Sequence, residues 1–188
     1  GFRLHKGRVR LPTMPFQIAE RTLELRDVRL ECTEGRLNVK DRRFDFPEML
    51  VSSERLKGLR AALTGAGRRL QLTLTGETSG LPAVLQDTGF PAPGWQLKGV
   101  ERFDILVQAN GSDPMRISGE VQLDEGRFQS PAAQFIGENL GLGLQFDILW
   151  DPLQHRHAMA ADLSANRGEL LLKKFYTDLA SQPLKISG

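Results

Sequence analysis

Apolar and polar residues alternate with a period of two along most of this 188-residue chain, and that alternation most limits what the chain can fold into. Successive side chains of an extended strand project to opposite faces, so alternation gives a sheet one apolar and one wetter face. A helix needs apolar residues three or four apart. Leu70, Leu72 and Leu74 alternate with Gln71, Thr73 and Thr75, and Phe103, Ile105 and Val107 with Asp104, Leu106 and Gln108. Leu142, Leu144, Phe146 and Ile148 repeat the pattern against Gly143, Gln145 and Asp147. With 19 Gly and 10 Pro as punctuation and aromatics at only 7%, the chain suits many short strands joined by turns. The expected fold class is all-β, mostly antiparallel, with repeated hairpins in a curved or groove-like sheet and one or two short helices.

Two places interrupt the alternation. Between Leu23 and Cys32 the apolar parity switches from odd to even around Asp27, which predicts a bulge or bend there. In Gly80–Gly89, Leu81, Val84 and Leu85 stand at helical spacing, with Pro82 near a first turn and Gly89 at a C-terminal stop, so a short helix is expected. Phe90-Pro91-Ala92-Pro93-Gly94 follows as a rigid connection, dividing possible sub-units 1–79 and 95–188 at 80–94. Residues Pro131 to Asn139 fit either a second short helix or an irregular strand.

An internal repeat is superimposed on the alternation. Phe103-Asp104-Ile105-Leu106 recurs as Phe146-Asp147-Ile148-Leu149, and each copy is followed by an Asp-Pro turn signal, Asp113-Pro114 and Asp151-Pro152. A second strand follows each turn, over Ile117 to Leu123 and His157 to Ala165, ending in Glu125-Gly126-Arg127-Phe128 and Arg167-Gly168-Glu169-Leu170. Glu34-Gly35-Arg36-Leu37 resembles the same turn. Stacked antiparallel hairpins are the expected unit, and the chain reads as a piece of a longer repetitive protein.

The sequence holds few groups that could support a reaction. Lys+Arg 25 against Asp+Glu 23 leaves a net charge of +2, so a strongly basic nucleic-acid binder is not indicated. A lone Cys32 can form no internal disulfide, and the densest apolar run, Leu170-Leu171-Leu172, stops at Lys173, far short of a membrane span. His155 and His157 are the best metal candidates, but further ligands are missing beyond Asp151, Asp162 or Glu169. No Gly-x-Ser-x-Gly elbow is present. Gly65-Ala66-Gly67 before Arg68-Arg69, and Asn110-Gly111-Ser112, read as hairpin turns. Basic residues Arg3, Lys6, Arg8 and Arg10, and the run Lys40-Asp41-Arg42-Arg43, fit either anionic partners or edges protected against further pairing. No catalytic residue, metal or cofactor is assigned.

The stretch Ser118-Gly119-Glu120-Val121-Gln122-Leu123-Asp124-Glu125-Gly126-Arg127-Phe128, then Asn139-Leu140-Gly141, Gly168-Glu169-Leu170-Leu171-Leu172-Lys173-Lys174-Phe175-Tyr176 and Gln182-Pro183-Leu184, resembles the AsmA-like envelope proteins, most closely the YdbH-like branch. The likeness covers mainly residues 70 to 188 and rests on a rhythm of strands and glycines. It implies a non-catalytic periplasmic module of a protein anchored in the inner membrane through regions outside this chain, whose β-groove carries phospholipid or another apolar ligand toward the outer membrane. The candidates for an apolar lining are Ile105, Val107, Val121, Leu123, Phe146, Ile148 and Leu163, residue types that at such positions more often form ordinary core. A scaffold for an envelope protein partner is the alternative; a metal-dependent hydrolase and a dicarboxylate-transport-associated domain rank below it.

Overall fold

In the computed structural model the chain forms one antiparallel sheet; residues 1–18, 21–53, 58–78, 94–151, 154 and 156–188 are described, those at 14–18 and 21–25 by backbone only. The strands are β1 (Phe2–Ile18), β2 (Arg21–Asn38), β3 (Arg43–Ser52), β4 (Leu59–Ala66), β5 (Arg69–Thr78) and β6 (Gln96–Asn110). They continue as β7 (Met115–Gln129), β8 (Phe135–Asp151), β9 (Arg156–Leu172), β10 (Phe175–Asp178) and β11 (Leu184–Ser187). From β1 to β10 each strand pairs with the next in sequence, and β11 returns to pair with β9 beside β10. This is a meander, in which each connection reverses the chain between neighbours. Strands β5 and β6 pair from Arg69↔Asn110 to Thr78↔Glu101, so the segments on either side of 80–94 share one sheet.

The all-β antiparallel class forms as expected, with corrections to its details. The sheet is open and uncurled, not a strongly curved groove. Pairing between sequence neighbours imposes only a local twist, and among the described residues no ladder joins β1 to β10 to draw the edges together. No helix occurs among the described residues. The ambiguous stretch from Pro131 resolves into a turn and a strand: Ser130 Oγ accepts the N–H groups of Gln134 and Phe135, both at 3.1 Å, and β8 starts at Phe135. The helix expected over 80–89 lies outside the described residues.

The glycine motif has a different role from the one its sequence suggests. Glu125-Gly126-Arg127-Phe128, Arg167-Gly168-Glu169-Leu170 and Glu34-Gly35-Arg36-Leu37 do not end their strands but lie inside β7, β9 and β2. Each sits at a break in ladder register: Leu123/Gly126 in β7, Glu138/Gly141 where β8 meets β9, and Cys32 to Arg36 in β2. Glu125 (φ 53°), Asn139 (φ 51°) and Gly168 (φ 104°) take the left-handed conformation that a bulge uses. Asp27 (φ 52°), where the parity switch predicts a bulge or bend, takes it too, but the β1–β2 register is the same before and after it, so no residue is inserted there. An inserted residue turns every later side chain to the other face. The sequence changes parity at the same points, from Val121 and Leu123 to Phe128, and from Leu163 and Ala165 to Leu170, so the apolar residues stay on one side.

Little of this surface is buried. Among the described residues only Val28, Leu59, Ala61, Leu140, Ala165 and Leu179 are buried apolar side chains. The accessible surface is 13143 Å², against about 9,000 Å² for a compact monomer of this mass, as a single layer requires. One small core exists, where the turn after β10 places Leu179 against Leu140 and Ala165, flanked by Phe128, Leu142 and Leu170. The Leu179 N–H donates to Gly168 O at 2.9 Å, fixing that turn to the bulge.

A methyl group at Gly168 would lie 2.6 Å from Glu138 O and 2.7 Å from Asn139 O, whereas one at Gly67 (φ 63°) meets nothing within 4 Å. Gly168→Ala is expected to destabilise the sheet by more than about 2 kcal/mol and Gly67→Ala by about 1 kcal/mol, measured by urea unfolding.

Candidate apolar binding face

Ladder register shows which side chains share a face, and it gathers the apolar ones into continuous rows. One row runs Phe46, Leu63, Leu72, Val107, Ile117, Ile148 and Met159 across seven adjacent strands. Its neighbour runs Met49, Ala61, Leu74, Ile105, Gly119, Phe146 and Ala161. A third runs Gly76, Phe103, Val121, Leu144, Leu163 and Ile186. On the other side, Arg60, Thr75, Asp104, Glu120, Gln145 and Asp162 form an equally continuous polar row.

All seven residues singled out from sequence fall on the apolar side and are half-buried: Ile105 and Val107 in β6, Val121 and Leu123 in β7, Phe146 and Ile148 in β8, and Leu163 in β9. The sequence reading missed the other half of the face. Val9, Leu30, Val51 and Leu59 extend it into β1 to β4. The Phe44-Asp45-Phe46 alternation was the available signal. Glu101, only 4% exposed, also lies on this side, opposite Leu123.

Two phenylalanines smooth the face. A Cβ at Gly35 would collide with the ring of Phe46, and one at Gly65 with the ring of Phe44, so each ring lies over a glycine of the neighbouring strand. Aromatic cover of a strand glycine restores the packing that the missing side chain forfeits. Trp95 adds an aromatic group near the bulges, its ring centroid 6.1 Å from that of Phe128 and 5.9 Å from that of Phe135.

Ion pairs cross between strands on the polar side. Asp27 accepts from Arg10 at 2.5 Å and from Arg29 at 2.6 Å; Asp147 accepts two hydrogen bonds from Arg116 at 2.9 and 2.5 Å. Asp124 lies between Arg102 at 2.9 Å and Arg167 at 3.3 Å. The Arg29 and Arg10 hydrogen bonds hold the Asp27 carboxyl below the usual carboxylate range, as the Arg116 bonds do for Asp147. The Ser181 hydroxyl and Ala180 N–H do the same for Asp178. These groups are solvent-exposed, and exposed pairs contribute little individually.

His157 is exposed at the start of β9, opposite Trp150, and His155 lies outside the described residues. Among the described residues no three His, Cys, Asp or Glu side chains are grouped to hold a metal ion. Cys32 is half-buried, its thiol donating to Glu34 O at 2.8 Å. Gly67-Arg68 and Gly111-Ser112 lie in hairpin turns, as read from sequence. No helix among the described residues is long and apolar enough to cross a membrane.

No family model, curated protein or solved structure matches this chain. The resemblance to AsmA-like proteins therefore rests on the residues quoted for it.

A carboxylate whose pKa is depressed on folding contributes stability above its unfolded pKa and loses it as pH falls through the folded value. Asp27, Asp147 and Asp178 are all of this kind. Thermal stability is expected to be level from about pH 7 to 5 and to fall below about pH 4. Asp27→Asn should flatten that acid limb, as followed by circular dichroism melts across the range.

Proposed function

We propose that this chain is a non-catalytic lipid-contacting module of the AsmA-like type, carried in the periplasm by a protein anchored in the inner membrane through regions outside it. The observation that supports this reading is the set of apolar rows that run from strand to strand on one side of a one-layer sheet. Adjacent strands stand about 4.8 Å apart, so an apolar row crossing seven strands is about 29 Å long, comparable to the hydrocarbon thickness of a bilayer. Acyl chains laid along such rows would be shielded from water while their headgroups stayed wet, each buried methylene being worth about 0.8 kcal/mol. An uncurled face serves this purpose if the lipid itself, or more of the same protein, covers its outer side.

A second reading has its own observation. Among the described residues β1, a 17-residue strand, pairs with β2 alone, and its other side could take a further strand. An envelope protein could add to the sheet there.

Photo-crosslinking in cells separates the two. A photoreactive residue at Leu144, on the apolar side, is expected to capture phospholipid, and one at Gln145, on the polar side, is not. Equal lipid capture at both positions, or at neither, would remove the lipid reading. A single protein captured from positions along β1, with no lipid at Leu144, would establish the scaffold.

A further inference from the structure

The polar side carries two arginine pairs in which like charges stand directly opposite each other on β1 and β2, and the two are treated differently. Arg10 opposes Arg29, and Asp27 bridges both guanidinium groups. Arg3 opposes Arg36, and among the described residues no carboxylate lies within ion-pair distance of either. Directly opposed like charges destabilise a sheet. The first pair has its counter-anion built into the chain, and the second does not.

Arg3 and Arg36 line a hollow of about 1030 Å³ at the end of the sheet holding the β2–β3, β4–β5 and β6–β7 turns. Arg43, Arg69 and Arg116 also line it, against Asp45 and Asp113; with Arg116 paired to Asp147, the other four arginines leave a surplus of two positive charges. Arg43 and Arg69, like the first two, have no ion pair among the described residues. Register places Arg36 next to Asp45 across the β2–β3 ladder, and Arg43 and Arg69 on either side of Ala66, so all four free guanidinium groups belong to the same polar surface. The turns at this end are joined by backbone bonds, Gly67 N–H to Arg42 O at 3.0 Å and Gly111 N–H to Arg68 O at 2.9 Å, which hold the strand ends in place.

We propose that this hollow binds a diphosphate-type anion, held by Arg3, Arg36, Arg43 and Arg69. Guanidinium forks match phosphate oxygens two at a time, and several linked phosphates supply the multiple charges that the surplus calls for. The anion would take toward Arg3 and Arg36 the place that Asp27 takes toward Arg10 and Arg29.

Calorimetric titration with inorganic pyrophosphate tests this in native protein, in Arg36→Gln/Arg43→Gln and in Arg8→Gln/Arg127→Gln, which removes the same charge outside the hollow. The first variant is expected to bind at least about tenfold more weakly and the second within about twofold of native. Without ligand at low salt, Arg36→Gln alone should melt higher than native protein, because the opposed charge is gone. Equal weakening by both double variants, equally tight binding of succinate, or no pyrophosphate binding by native protein would overturn the proposal. So would a lower ligand-free melting point for Arg36→Gln. Vesicles of phosphatidylcholine with and without cardiolipin identify the source: pyrophosphate binding without cardiolipin-dependent sedimentation supports a soluble ligand, and both together support a headgroup.

Discussion

The hydrogen-bond ladder between chain neighbours is the constraint on which everything else in this molecule depends. A conventional domain buries its apolar surface between two layers, and its backbone pairing is one contribution among several. Here there is one layer, so the ladder and the cross-strand contacts on each side must hold the strands in place. Register consequently has a heavier role than usual. A slip of one residue anywhere in β4 to β9 would send a row such as Leu72, Val107, Ile117 and Ile148 to the polar side.

The bulges follow from that constraint. Strands as long as β7, β8 and β9 would accumulate twist and strain if they ran without interruption, and a left-handed residue at Glu125, Asn139 or Gly168 gives the strand a local kink. The cost is a parity reversal, which the sequence corrects by moving its apolar residues one place along. That agreement between backbone and side-chain pattern, repeated in neighbouring strands, ties the small core around Leu140 and Leu179 to the same region. The turn after β10 packs where the ladder register is broken.

Much of this was legible in the residues. Alternation identified the strands and the seven candidate positions, because period two is a direct consequence of strand geometry and survives the loss of all other information. The parity change at Asp27 located a left-handed residue for the same reason. The glycine motif was misread because Glu-Gly-Arg is as good a turn as it is a bulge; only its partner strand, remote in sequence, distinguishes them. Groove curvature was equally hidden, since alternation specifies which side is apolar and leaves open how far the sheet bends. The arginine hollow was out of reach for a related reason. Arg3, Arg36, Arg43 and Arg69 are scattered over 67 positions, and only strand order brings them to one end of the sheet.

The strictly sequential order of the strands also governs how such a sheet can assemble. Each of β2 to β9 needs only the strand before it, so no step must wait for a distant part of the chain, and the closure entropy at each stage is that of a hairpin or one longer connection. A chain delivered gradually, from a ribosome or through a translocation channel, could add strands as they emerge, each new edge serving as the template for the next. The exposed edge at any moment is then a growing end, ready to pair with the strand that emerges next.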